Sequence, residues 1–236
     1  MRSKCYSILL RLAVVIPLLM ISLSGDIDAK EGKKMKSFSN VTDKVIQLPA
    51  PLLHGGMSLE ETLAKRESTR NFTSKPLTPF EISQVLWAAQ GITRNWWGRT
   101  TPSAGALYPL ELYLALREGL FHYMPRNHQL VRVSDQNLID DLASAALGQE
   151  CIRESPAIVV ITAVYERMER KYGRRGERYV KIEAGHAAQS IHLQAVSLGL
   201  GSVPVGAFHD DQVRKVLNLP ANHEPLYLIP LGHIKK

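Results

Sequence analysis

The chain has 236 residues, 45% of them hydrophobic, which is ample for one packed core. Its formal charge is +7, but Arg2, Lys4 and Arg11 lie in the first 25 residues with no acid beside them, so the remainder carries +4. Much of that excess sits locally at Lys30, Lys33, Lys34 and Lys36, which leaves no nucleic-acid footprint in the body and at most a weak attraction to anionic surfaces.

The N-terminus has the layout of a secretory signal over residues 1–25. Basic residues precede the apolar run Leu12 to Leu23, and small residues Ser22, Ser24 and Gly25 follow. The run is about 12 residues, short of the roughly 20 that span a bilayer. Cleavage is expected between Ser24 and Ala29. The protein is then periplasmic or extracellular, with membrane anchoring the alternative if the signal stays. Only Cys151 would remain, so no intrachain disulfide can form, and it reads as core filling. Residues 26–44 read as a basic flexible linker, and residues 45–236 as one domain.

Val45 to Gly56 reads as an extended arm. Ser58-Leu59-Glu60-Glu61 has the pattern of a capping box and opens a helix to about Arg66. Thr78-Pro79-Phe80-Glu81 opens a second helix, with Ile82, Val85, Leu86 and Ala89 on one face and a stop at Gly91. Leu110 to Arg117 reads as a strand, and Leu120 to Met124 with Leu130 to Val133 as a hairpin. Asp135 to Leu147 is expected to be helical. Ala157 to Ala163, "AIVVITA", reads as a strand buried on both faces. Glu177 to Leu198 is the longest expected helix. Val203 to Phe208 looks strand-like, Asp211 to Leu217 helical, and Leu226 to Leu231 is the last strand. The class is mixed α and β, one sheet between helices, without the Gly-rich turn of a dinucleotide fold.

Three stretches could carry chemistry. In "KRESTRNF", Arg66, Ser68 and Arg70 alternate. If the chain extends after Arg66, two guanidinium groups and a hydroxyl face one side and suit a phosphate dianion; otherwise they are a solvated helix end. In "TPSAGALYPLELY", nearly bare backbone precedes a strand. It either lies against a flat heterocycle or is an ordinary loop. In "EAGHAAQSIHLQAVSLGLGSVPVGAF", Gly185, Ala187, Ala188 and Ala195 give a helix a small-residue face. His186 and His192 are six apart, not spaced as a zinc pair.

In order and spacing these stretches, with "LPAP", "LTPFEISQVLWAAQGI", "KYG" and "PLGH", resemble the nitroreductase family of flavoproteins over Leu48 to Gly232, and most closely its SagB-type dehydrogenase branch. The resemblance implies an α+β nitroreductase-like fold, a mostly antiparallel central sheet flanked by helices, and a homodimer binding FMN at its interface. It implies that Arg66, Ser68 and Arg70 hold the phosphate and ribityl chain. Pro102, Ser103, Ala104 and Gly105 then lie along the isoalloxazine, in the other subunit. Pro204, Val205, Gly206 and Ala207 approach the ring from the opposite side, and Gln189 is a further contact. Lys235 or Lys236 is expected to substitute for a basic phosphate contact that many relatives supply from a longer C-terminus. Lys171 and Tyr172 match a Lys-Tyr pair associated in that branch with azoline dehydrogenation; alternatively "RKYGRRGERY" is a basic surface loop.

Two positions depart from the family pattern: Glu67, where basic residues are frequent, and Ser190, where the branch often has asparagine. The implied activity is ping-pong hydride transfer between a small organic substrate or NAD(P)H and an acceptor. Export favours an oxidative role, since nicotinamide donors are scarce outside the cytoplasm. The alternative is a non-catalytic flavin-binding or scaffolding protein of the same fold.

Overall fold

The computed structural model describes Phe38 and residues 43–235. The expected signal, 1–25, lies outside the described residues, as do most of the expected linker and Lys236. Phe38, inside that linker, is buried against Phe121 with ring centroids 5.9 Å apart, so packing against the core begins before Val45.

The sheet grows outward from "AIVVITA". Strand β5 (Ala157–Ala163) is buried at every position. Ala157, Val159, Ile161 and Ala163 join one core layer, while Ile158 and Val160 join the other, as the two-residue period requires. Antiparallel neighbours flank it: β2 (Leu110–Leu116) on one side and β7 (Glu224–His233) on the other. Beyond β2 come β3 (Gly119–Met124) and β4 (Gln129–Ser134), which form the expected hairpin, and then β1 (Val45–Gln47). Beyond β7 lies β6 (Leu200–Ser202). The order is β1-β4-β3-β2-β5-β7-β6, with every described pairing antiparallel. The fold class is the α+β arrangement expected.

Helix α1 (Leu59–Lys65) is capped by Ser58, which accepts from the Glu61 amide at 3.1 Å. The reciprocal half of the box is not made: Glu61 pairs with Lys65 instead. In α2 (Pro79–Gln90) the box closes, with the Thr78 hydroxyl accepting from the Glu81 amide and the Glu81 carboxylate accepting from the Thr78 amide. Helix α2 packs on the long helix α6 (Arg175–Ser197) over one face of the sheet, with α5 (Glu166–Tyr172) beside α6. Helices α3 (Ile139–Ala145), α4 (Glu150–Arg153) and α7 (Asp210–Val216) cover the opposite face. Cys151 is buried there.

Several elements differ from expectation. Residues 135–138 are not helical, and α3 is correspondingly short. Val203 to Phe208 does not form a strand: β6 ends at Ser202, and only Val205 bridges to Leu228. The segment "RKYGRRGERY" is not a loop but the end of α5 and the start of α6. On α6 the buried small residues are Gly176, Ala184, Ala187, Ala188 and Ala195, whereas Gly185 faces outward. Among the described residues no helix is long and apolar enough to cross a membrane.

The two caps allow a direct comparison. Thr78→Ala removes a complete box and is expected to cost about 1 kcal/mol, a fall in Tm of about 2–4 °C. Ser58→Ala should cost less. Thermal unfolding of the two variants checks the order.

Candidate active site

After α1 the chain runs extended from Arg66, whose φ and ψ are −62° and 118°. The Thr69 amide donates to the Ser202 carbonyl at 3.0 Å, and the Thr69 side chain fills the space that a Cβ on Gly201 would take. Phe72 bridges to Ile234. The Arg66–Ser68–Arg70 stretch therefore borders the β6 side of the sheet in extended form, as the phosphate reading required. Arg66 is half-buried, Ser68 and Arg70 are exposed, and among the described residues no ion pair engages either arginine. Arg66 acts on His192 of α6. Burial first, and the Arg66 charge second, hold that imidazole down to about 4. His192 Nδ1 lies 2.8 Å from the Ser202 hydroxyl. Arg70 reaches toward α4: burial raises the Cys151 thiol, and the Arg70 charge opposes the rise. The Lys235 amide donates to the Asn71 carbonyl at 3.1 Å, which brings the C-terminus alongside the arginine stretch. The Lys235 side chain lines a cleft of 530 Å³ with Arg117 and Arg153.

The small-residue tract is built differently. Ala104–Ala106 form a single 3-10 turn. Gly105, Ala106 and Tyr108 all have left-handed backbone, with φ of 63°, 53° and 48°. Pro102, Gly105 and Ala106 are exposed, and Ser103 and Ala104 half-buried. The Ser103 hydroxyl accepts from the Tyr108 amide at 2.9 Å and holds the turn shut. A Cβ on Gly105 would sit 2.7 Å from the Tyr172 hydroxyl and 2.9 Å from Lys171 Nζ. The tract and the Lys-Tyr pair, 66 residues apart in sequence, thus meet in one chain. Tyr172 also packs edge-on against Tyr179 of α6, centroids 5.0 Å apart.

The remaining expected residues occupy other elements. Val205 exchanges two backbone hydrogen bonds with Leu228 and is buried in the core, so it offers a ligand neither a side chain nor a free backbone group, contrary to its expected ring contact; it anchors the segment instead. Gly206 and Ala207 are exposed, Pro204 half-buried, and the Ala207 carbonyl accepts from Gln149. Gln189 lies on the outer face of α6.

Two buried polar residues escaped the sequence reading. Glu183 on α6 is 2% exposed, and neither carboxylate oxygen makes a hydrogen bond of good geometry. Burial pushes its carboxyl up to about 7, against the opposing influence of the Ser103 hydroxyl and the Arg99 charge. Arg99 donates to Gln90 at 2.7 Å and lies over the Tyr108 ring. Glu183 could have been found from its spacing, since it falls on the buried stripe of Val180, Ala184 and Ala187. Arg99, on a loop, offered no such signal.

Two separate features suit a flat, anionic ligand: bare left-handed backbone beside a lysine and a tyrosine, and an extended stretch whose two arginines no ion pair engages among the described residues. The nitroreductase family model matches residues 63–233, which include every expected site residue except Lys235 and Lys236. The chain belongs to the nitroreductase family. A Methanocaldococcus jannaschii protein named as a nitroreductase is 46% identical over 75% of this chain and 91% of its own length. A crystal structure named as a nitroreductase of Ralstonia eutropha JMP134 superposes with a TM-score of 0.77 at 31% identity, covering 86% of this chain and 95% of that one. The microcin B17-processing protein McbC of Escherichia coli is 30% identical over 51% of this chain and 48% of its own length. This nitroreductase-family chain thus shares its fold with the Ralstonia structure over nearly all of its described residues.

The buried Glu183 carboxyl has a pH signature. Unfolded, it releases its proton near 4.5; folded, it keeps it until about 7, so its contribution to stability is lost as pH rises between these values. Glu183→Gln cannot ionise. The difference in Tm between Glu183→Gln and the parent should therefore increase from pH 5 to pH 8, measured by thermal melts in matched salt. A constant difference contradicts the assignment.

Proposed function

We propose that this oxidoreductase of the nitroreductase family is FMN-dependent and acts as a SagB-type dehydrogenase. The observation that carries the proposal is the close approach of Gly105 to Lys171 and Tyr172, which sets a proton-accepting pair beside a backbone surface able to take a flavin ring. The likeness to McbC, named as a microcin B17-processing protein, spans about half of each chain and supports a peptide substrate; that the reacting residue is an azoline is what the SagB-type resemblance implies.

Arg66, Ser68 and Arg70 would hold the phosphate and ribityl chain, with Lys235 nearby. Pro102, Ser103, Ala104 and Gly105 would lie along one part of the ring, and Pro204, Gly206 and Ala207 along another, their segment anchored by the buried Val205. Gln189 would add a polar contact. Bound FMN supplies the two-electron acceptor. In the dehydrogenation of an azoline the Lys171–Tyr172 pair would take the proton from one ring carbon while the hydride leaves its neighbour for the cofactor, so that the ring gains a carbon–carbon double bond. Oxygen or a quinone would serve as the second substrate that accepts the two electrons in a ping-pong cycle, and NAD(P)H would be an alternative donor.

The arginine stretch and the glycine tract are carried by different elements, which fits a cofactor shared between two copies of the chain. The homodimer reading is supported by exposed Leu52, Leu53 and Leu59 around a groove of 490 Å³ that also takes in Leu193 of α6 and Trp87. The export reading of residues 1–25 belongs to the same proposal and favours oxygen or a quinone as the acceptor.

The test is anaerobic reduction of the FMN-loaded protein, followed by bleaching of the visible band. A thiazoline-bearing peptide and NADPH are offered separately. Lys171→Ala should slow bleaching by the thiazoline by about 100-fold, the scale of a lost general base. Bleaching by NADPH, which delivers hydride without a proton to remove, should be spared. Equal slowing of both, or of neither, removes Lys171 from the proposed role. Bleaching by NADPH alone in the parent protein points to a reductase instead.

A further inference from the structure

Helix α5 carries Lys171 and Tyr172 but buries only one of its residues, Met168, so its own apolar contacts hold it weakly. A polar clamp does the rest. Arg167 lies one turn before Lys171, on the same face. Its Nη1 donates to the Tyr108 carbonyl at 2.9 Å, and its Nη2 donates to Glu111 Oε1. The other oxygen of Glu111 faces His122 Nε2 at 2.8 Å. Burial would raise the Glu111 carboxyl, but the His122 hydrogen bond and the Arg167 charge and hydrogen bond outweigh it and hold it near 2. The carboxylate thus keeps its charge, and the guanidinium its partner, across the working pH range.

What Arg167 grips is the left-handed tract. Tyr108 is its last strained residue, and Glu111 lies just inside β2. The Tyr108 amide is already engaged by Ser103, and its hydroxyl accepts from the Arg99 amide at 3.2 Å. The carbonyl is the remaining handle, and Arg167 takes it. One planar guanidinium therefore ties the turn that presents Gly105 to the helix that presents Lys171 and Tyr172.

We propose that Arg167, fixed by Glu111, is the positioning residue that holds α5 against the Gly105 turn and so sets Lys171 and Tyr172 in place. The catalytic meaning of that placement rests on the function proposed above; the clamp itself does not. Arg167 touches neither the cofactor surface nor the reacting atoms, and acts through the pair it positions.

The experiment is hydrogen exchange by mass spectrometry on the full chain loaded with FMN, comparing the parent with Arg167→Ala, Arg167→Lys and Glu111→Gln. In Arg167→Ala, peptides covering 103–108 and 166–173 should both exchange at least about tenfold faster, as expected if a pair worth more than about 1.4 kcal/mol is lost. Peptides from β5 should not change. Arg167→Lys keeps the charge without the fork and should recover part of the protection, and Glu111→Gln should loosen the same two segments. Unchanged exchange in those segments overturns the clamp, as does loosening that spreads equally through β5. A kinetic cycle separates this from the functional reading. With the donor that bleaches the flavin, the loss from Arg167→Ala should shrink to less than about twofold in a Lys171→Ala background. Full additivity there overturns the positioning role. If Lys171→Ala alone has no effect while exchange responds as expected, the clamp stands and the functional reading falls.

Discussion

At Gly105 the backbone passes so near α5 that a methyl group would sit 2.7 Å from the Tyr172 hydroxyl and 2.9 Å from Lys171 Nζ. That contact requires a left-handed turn, a residue without a side chain, and a helix held in register against it. The three requirements are met by different parts of the chain. Ser103 closes the turn, glycine supplies the conformational freedom, and Arg167 with Glu111 holds the helix. The strain in Ala106 and Tyr108, non-glycine residues with positive φ, is sustained by the same hydrogen bonds.

The rest of the fold serves this arrangement by rigidity. Strand β5, buried at all seven positions, anchors β2, and the turn leads directly into β2. Helix α6 backs the site through Tyr179 and carries the buried Glu183 next to the Ser103 and Arg99 neighbourhood. Beside β6, the arginine stretch is fixed by Ser202 and by the C-terminal residues of the chain. Each group is therefore held by a backbone pairing or a buried polar contact, and little is left to flexible loops.

How much of this could be read from residues alone depended on whether the determining contact was local. Caps were legible because their partners are three residues apart, although Glu61 chose Lys65 over its own cap. The strand "AIVVITA" and the long α6 announced themselves by composition and period. Helix α5 did not: with a single buried residue it has no apolar stripe to detect, and its partners are Tyr108 and Glu111, more than fifty residues away. Strand β6 was misplaced toward Val203 to Phe208 because its pairing is chosen by β7, not by its own three residues. In the site, the extension after Arg66 and the bare tract were legible as patterns. The left-handed geometry and the meeting with Lys171 and Tyr172 were not, because only the tertiary fold brings those segments together.

The central claim is that this surface holds a flavin by its plane and by its phosphate. Equilibrium titration of the purified chain with FMN and with riboflavin, followed by flavin fluorescence, tests it most directly. The two ligands share the ring and differ only in the phosphate. The account predicts saturable binding of FMN, with riboflavin weaker by at least about tenfold, the contribution of one charge-assisted contact. Equal affinity for the two would contradict the role of Arg66 and Arg70, and no binding of either would contradict the account as a whole.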